Sequence, residues 1–164
     1  DYIRYPAKWD AVKTVFEKYA MLPNINLGAT PVFQTYNIFH IVDIIKYVEE
    51  VKHKYDREVF MDFLLNTHPT ILDVQILPQE LRLQARDILG EYYSGLDKNN
   101  LAPLTNSGIQ TCLNILEKEG DGDPEKIRMF LKYTNSLDRH RNQKLEDNCP
   151  QLFNYLKSKN FYEK

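Results

Sequence analysis

The sequence predicts an α/β fold, with parallel βα units over residues 1–93 and an all-helical extension over residues 94–164 packed on them as one structural domain. Three observations carry this expectation. Helical and strand-like apolar patterns alternate through the first part, which under the rules for sheet connections gives parallel βα units. Beyond residue 94 only the 3.6-residue period remains. The composition is 43% apolar and 27% charged with 6 glycines and 8 prolines, that of an ordinary chain with a buried core.

The elements follow in order. PAKWDAVKTVFEKYA (6–20) puts Trp9, Val12, Phe16, Tyr19 and Ala20 on one helical face, with Pro6 suited to a helix start. INLGATPVF (25–33) reads as a buried strand, with Pro31 expected at its end or at a bulge because it cannot donate to a ladder. Ile41, Ile44, Ile45, Val48 and Val51 mark a helix over 37–55, and Lys52, His53 and Lys54 suit the negative end of its dipole. EVFMDFLLN (58–66) predicts the next strand, and ILDVQILP (71–78) a short alternating one closed by Pro78. PQELRLQARDILGEYY (78–93) predicts a helix with Leu81, Ala85, Ile88, Leu89 and Tyr92 inward. Helices are then predicted over 105–120, 123–143 and 149–162. Two or three parallel strands leave a sheet incomplete, because such sheets need both faces covered and their edges protected. A missing segment or a second copy of the chain is expected to complete it.

The bulk properties exclude several classes. The net charge of −2, with basic and acidic residues interspersed, gives no attraction to nucleic acid or an anionic membrane. No apolar run approaches the roughly 18 residues of a membrane span, and no signal peptide is readable. Cys112 and Cys149 lie far apart, so reduced thiols in a cytoplasmic protein are the default. The chain opens on Asp1 rather than Met, which fits a processed chain or a fragment.

Candidate chemistry gathers where strands hand over to helices, the ligand-binding end of parallel sheets. Gln34, Thr35, Tyr36 and Asn37 occupy one such junction, either as ligand contacts or as turn and cap residues. Asn66, Thr67 and His68 occupy the next. Asp73 and Gln75 alternate with apolar residues and face either a pocket or solvent. EGDGDPEK (119–126) lacks the glycine and terminal glutamate spacing of a calcium loop, and Asp123 as a helix cap before Pro124 explains it. His40, His53, His68 and His140 form no zinc-ligand spacing, so no metal site is expected. DRHRNQK (138–144) reads as a solvated helix end. No nucleophile motif or phosphate loop is present.

Four phrases together resemble the C-terminal portion of radical S-adenosylmethionine (radical SAM) proteins with a reduced, twitch-type C-terminal region, a group of Fe–S oxidoreductases. They are YIRYPAKWDAV (2–12), LGATPVFQTYNIFHI (27–41), LDVQILPQEL (72–81) and FLKYTNSLDRHRNQKLEDNCPQL (130–152). The resemblance implies a partial parallel βα barrel, here of two to four strands. It also implies SAM and a [4Fe–4S] cluster in the full-length protein, the cluster held by a CxxxCxxC loop in the N-terminal half. This chain has no such loop and only two cysteines, so it is expected to bind neither cofactor alone. The resemblance places Gln34, Thr35 and Asn37 toward SAM, with Asn66 and Gln75 from neighbouring strands as candidates toward substrate; His68, read from its turn as a ligand contact or an acid/base, is the third substrate-side candidate. The expected partner is the missing N-terminal half of the same polypeptide. The alternative is a standalone α/β binding or interaction module that forms a homodimer through its open sheet edge.

Overall fold

The computed structural model describes residues 2–162 and is mostly helical, with a small content of parallel strands. Helix α1 (Trp9–Ala20) leads into β1 (Leu27–Ala29) and β2 (Val32–Phe33). Helix α2 (Ile41–Tyr55) crosses over to β3 (Val59–Met61) and β4 (Leu64–Leu65). Then come α3 (Gln79–Ser94), α4 (Pro103–Glu117), α5 (Pro124–Arg141), α6 (Leu145–Asn148) and α7 (Pro150–Ser158).

Each predicted strand is broken once. Leu27 pairs with Val59 and Ala29 with Met61, while Val32 pairs with Leu64 and Phe33 with Leu65, all parallel. The offset is the same on both sides of the break, and Asp62 N–H to Ala29 C=O (3.0 Å) and Leu64 N–H to Pro31 C=O (3.1 Å) carry the ladder through it. Pro31 sits at the break, where a missing N–H does least harm. The four short strands are therefore two passes of the chain, and no closed barrel forms among the described residues.

The strand predicted over 71–78 is not one. Residues Thr70–Leu72 and Val74–Ile76 are two successive 3-10 turns. The Asp73 carboxylate accepts the Gln75 N–H (2.9 Å) and holds the second turn, a local bond that competes with a strand ladder. Val74, Ile76 and Leu77 are buried, which the alternating pattern mimicked.

Two helix starts also move. The first helix begins at Trp9 rather than Pro6. The second begins at Ile41, because Thr35–Asn37 is a 3-10 turn of its own. Helix α2 buries Ile41, Val42, Ile45, Val48 and Val51 and ends on Asp56 in the left-handed region (φ 47°). Each fully buried aliphatic side chain on that face contributes about 1.5–3 kcal/mol. The first helix differs: of its predicted inward face only Ala20 is buried, while Trp9, Val12 and Tyr19 are exposed. Ile88 on α3 is likewise exposed.

The helices cover one face of the strands and one edge. Helix α2 packs on β3 and on α3, and α4 packs on α3 and β3. The Met61 N–H, pointing out of the ladder, donates to Thr105 Oγ1 of α4 (2.8 Å). One turn on, Gly108 admits the Phe63 ring, since a Cβ there would lie 2.7 Å from a ring carbon. This small-residue turn lets α4 close the β3–β4 edge.

Candidate functional site

The junction after β2 is held by side-chain hydrogen bonds to its own turn and to three other parts of the chain. Asn37 Oδ1 accepts the Gln34 N–H (2.9 Å), and Asn37 Nδ2 donates to the Val32 carbonyl (2.8 Å). The side chain thus folds back over the end of its own strand. Thr35 is fully buried and its hydroxyl donates to the Asp73 carbonyl (3.1 Å), which ties the junction to the 3-10 turns. The Tyr36 hydroxyl and Thr134 Oγ1 on α5 lie 2.8 Å apart, and Cys149 Sγ–H donates to the Tyr36 carbonyl (3.2 Å). The Tyr36 ring packs against Phe130 and edge-on to Tyr2, with centroids at 4.8 and 5.4 Å.

The second junction lies beside the first. Asn66 N–H donates to the Phe33 carbonyl (3.0 Å), so the register sets Asn66 next to Gln34. Asn66 Nδ2 is buried with no hydrogen-bond partner among the described residues. A buried unpaired donor of this kind costs about 1–3 kcal/mol, and an acceptor delivered to it would recover that. His68 is exposed, with Nδ1 3.4 Å from Thr67 Oγ1. Gln75 faces elsewhere, into a cleft of about 290 Å³ shared with Asp73, Arg82, Asp121 and Lys126, and its Oε1 accepts from Lys118 Nζ (3.3 Å). Gln34, Thr35, Asn37 and Asn66 therefore stand together, and His68 and Gln75 stand apart from them.

Two buried groups escaped the sequence reading. Arg82, 1% exposed, donates through its guanidinium to the carbonyls of Leu77, Ile115, Leu116, Lys118 and Gly120 (2.6–3.4 Å). It satisfies the orphan carbonyls at the C-terminal end of α4, where the helix dipole is negative. Burial lowers its pKa from the ordinary arginine value. An arginine one place from Leu81 on an amphipathic helix gives no signal of this in sequence. The other group is Tyr2, whose hydroxyl donates to Asp138 Oδ1 (2.7 Å) while Asp138 Oδ2 accepts the Leu145 N–H (2.9 Å). Burial, then the Asp138 carboxylate, push the Tyr2 pKa far up. Arg141 donates to the Tyr2 carbonyl (3.1 Å), so the basic run 138–144 fastens the start of the chain.

Asp123 caps α5 as expected, accepting the N–H groups of Glu125 (3.1 Å) and Lys126 (3.0 Å). Cys112 and Cys149 are free and buried, and burial pushes both thiols up to about 12. Among the described residues no three His, Cys, Asp or Glu side chains group as metal ligands. No helix among them is long and apolar enough to cross a membrane.

No family model matches this sequence, and no curated protein or solved structure matches it.

Proposed function

We propose that this chain is the C-terminal, substrate-side part of a radical SAM-like Fe–S oxidoreductase of the cytoplasm, folded as the end of a partial βα barrel and inert alone. The observation that carries this reading is the bare face of the parallel strands. Parallel strands are ordinarily covered on both faces. Here helices cover one face, while on the other Phe60 (37%) and Leu64 (50%) lie open to solvent. That face, continued by further strands, would be the inside of a barrel, and the rim at its C-terminal end is where such folds bind ligands.

The rim residues have distinct parts in this reading. Asn66 offers an unpaired donor, and Gln34 is its neighbour in register. Asn37 and Thr35 hold the turn that places Gln34. Together they form the side toward SAM. His68 and Gln75 belong to the outer approach to substrate. The chain itself does not fit a [4Fe–4S] cluster: three thiolates are needed, and its two cysteines are buried thiols. The cluster ligands would come from the N-terminal half.

The test uses the polypeptide extended upstream by its own coding sequence. Gln34→Ala should weaken SAM binding roughly fivefold to tenfold, the loss of about one hydrogen bond, with little change in melting temperature. Unchanged SAM affinity in Gln34→Ala, or no SAM binding at all, contradicts the assignment. A second reading, a standalone interaction module that self-associates through its open sheet edge, is favoured by the outward backbone groups of Gly28 and Thr30, which no strand pairs among the described residues. It requires a stable dimer at micromolar concentration in sedimentation.

A further inference from the structure

We infer that the chain carries a slot for a tyrosine side chain, floored by Asp138 and walled by Tyr36, which its own Tyr2 fills, and that a tyrosine-bearing peptide segment takes the slot when residues 2–8 swing away. The slot stands apart from the cluster chemistry proposed above and does not depend on it.

The segment 2–8 is attached through one buried side chain. Tyr2 is 7% exposed, while every residue from 3 to 8 is exposed. The bond from the Ala7 N–H to the Arg4 carbonyl (2.8 Å) stays within the segment. Three contacts hold it to the end of α5. The Tyr2 hydroxyl donates to Asp138 Oδ1 (2.7 Å), and Arg141 Nη1 donates to the Tyr2 carbonyl (3.1 Å). The Arg141 guanidinium also lies over the exposed Tyr5 ring, 5.4 Å from its centroid. A segment with one buried anchor and no strand ladder opens locally at far lower cost than the body unfolds.

The slot is built by groups that stay when Tyr2 leaves. Asp138 is fixed through its second oxygen, Oδ2, which accepts the Leu145 N–H (2.9 Å) at the start of α6. The Tyr36 ring, met edge-on by Tyr2 at 5.4 Å, is fixed by Phe130 at 4.8 Å and by the 2.8 Å contact of its hydroxyl with Thr134. The Tyr162 hydroxyl is buried with no hydrogen-bond partner among the described residues. Burial, then Asp138, Tyr36 and Cys149, raise its pKa, so it belongs to the same group of side chains. Without Tyr2 there remain an aromatic wall, a carboxylate oxygen and a guanidinium donor. That set matches the ring, hydroxyl and backbone carbonyl of one tyrosine in a peptide. A phenylalanine would leave Asp138 Oδ1 unpaired, so the hydroxyl decides what enters. The slot also adjoins the candidate site, because Tyr36 stands between Thr35 and Asn37 in the turn after β2.

The test uses the full chain carrying Tyr2→Ala, with the backbone amides of Tyr36 and Leu145 followed by NMR. The probe is the peptide of residues 2–8, YIRYPAK. It should shift both amides saturably, and the same peptide with Tyr2→Phe should bind at least about tenfold more weakly. p-Cresol, which has the phenol and lacks the carbonyl that Arg141 holds, should bind more weakly than the peptide. In the chain with its own segment in place, Tyr2→Phe should raise the rate of trypsin cleavage after Arg4 about tenfold at nearly unchanged melting temperature. Equal binding of the tyrosine and phenylalanine peptides, no binding to the folded variant, or equal cleavage after Arg4 would each overturn the inference. So would a Tyr2→Ala chain that no longer folds, since Tyr2 would then be core and not an occupant. p-Cresol binding as tightly as the peptide would overturn the peptide assignment in favour of a small phenol.

Discussion

At the scale of single residues, the βα junction shows how one side chain serves structure and site together. Asn37 makes two hydrogen bonds to the backbone of its own turn. Asn37→Ala should cost about 1–3 kcal/mol in chemical denaturation, since it leaves a buried N–H and carbonyl unpaired. Gln34→Ala should cost far less, which separates positioning from contact. Arg82 is a stronger case, because its guanidinium is the partner of five carbonyls. Arg82→Met should destabilise by about 3–5 kcal/mol by analogy with breaking a buried charged network. The cap and this buried arginine differ in legibility. The Asp123–Pro124 pair is a local signal and was readable, whereas four of the five carbonyls that Arg82 holds lie more than 30 residues away and leave no mark in the local pattern. Asp123 also carries a pH dependence. Its bonds to Lys126, backbone first, hold its carboxyl below the ordinary aspartate value. A depressed folded pKa gives stability that is present above the unfolded value near 4 and is lost as pH falls through the folded one. Melting temperature should therefore fall with pH below about 4, and Asp123→Asn should flatten part of that slope.

At the scale of elements, periodicity located the helices and parallel strand passes and misread one segment. The 71–78 stretch alternates apolar and polar residues, but Asp73 binds its own backbone and turns the chain twice. An alternating apolar pattern fits a strand and equally a tight turn that buries Val74 and Ile76 on either side of Gln75, so sequence alone could not separate them. The opposite error occurred at α1, where the apolar face was legible but its burial was not. A hydrophobic stripe states that a helix wants a partner and does not say that the partner is within the same residues. The contact of α4 with the strand edge is the element-level test. Thr105→Val removes the bond to the Met61 N–H and should cost about 1–2 kcal/mol. Gly108→Leu forces the Phe63 ring out of its place and should cost at least as much, by overpacking.

At the scale of the whole molecule, the described residues form a βαβ unit with helices on one face, one closed edge and one open edge. Cys112 and Cys149 lie deep in this body, so thiol reagent at pH 8 should modify them slowly in the native chain and rapidly after unfolding. Two buried thiols are fewer than the three thiolates that hold a [4Fe–4S] cluster, so the proposed function puts the cluster ligands on other residues. The most direct check on the proposed function is iron and acid-labile sulfide in the polypeptide extended upstream of Asp1 and purified without oxygen. Near four irons and four sulfides per chain in the extended protein, and none in the chain beginning at Asp1, is the expected result. An extended chain that folds, binds no iron and carries no CxxxCxxC would contradict the radical SAM reading and leave the molecule as an interaction module with an edge to fill.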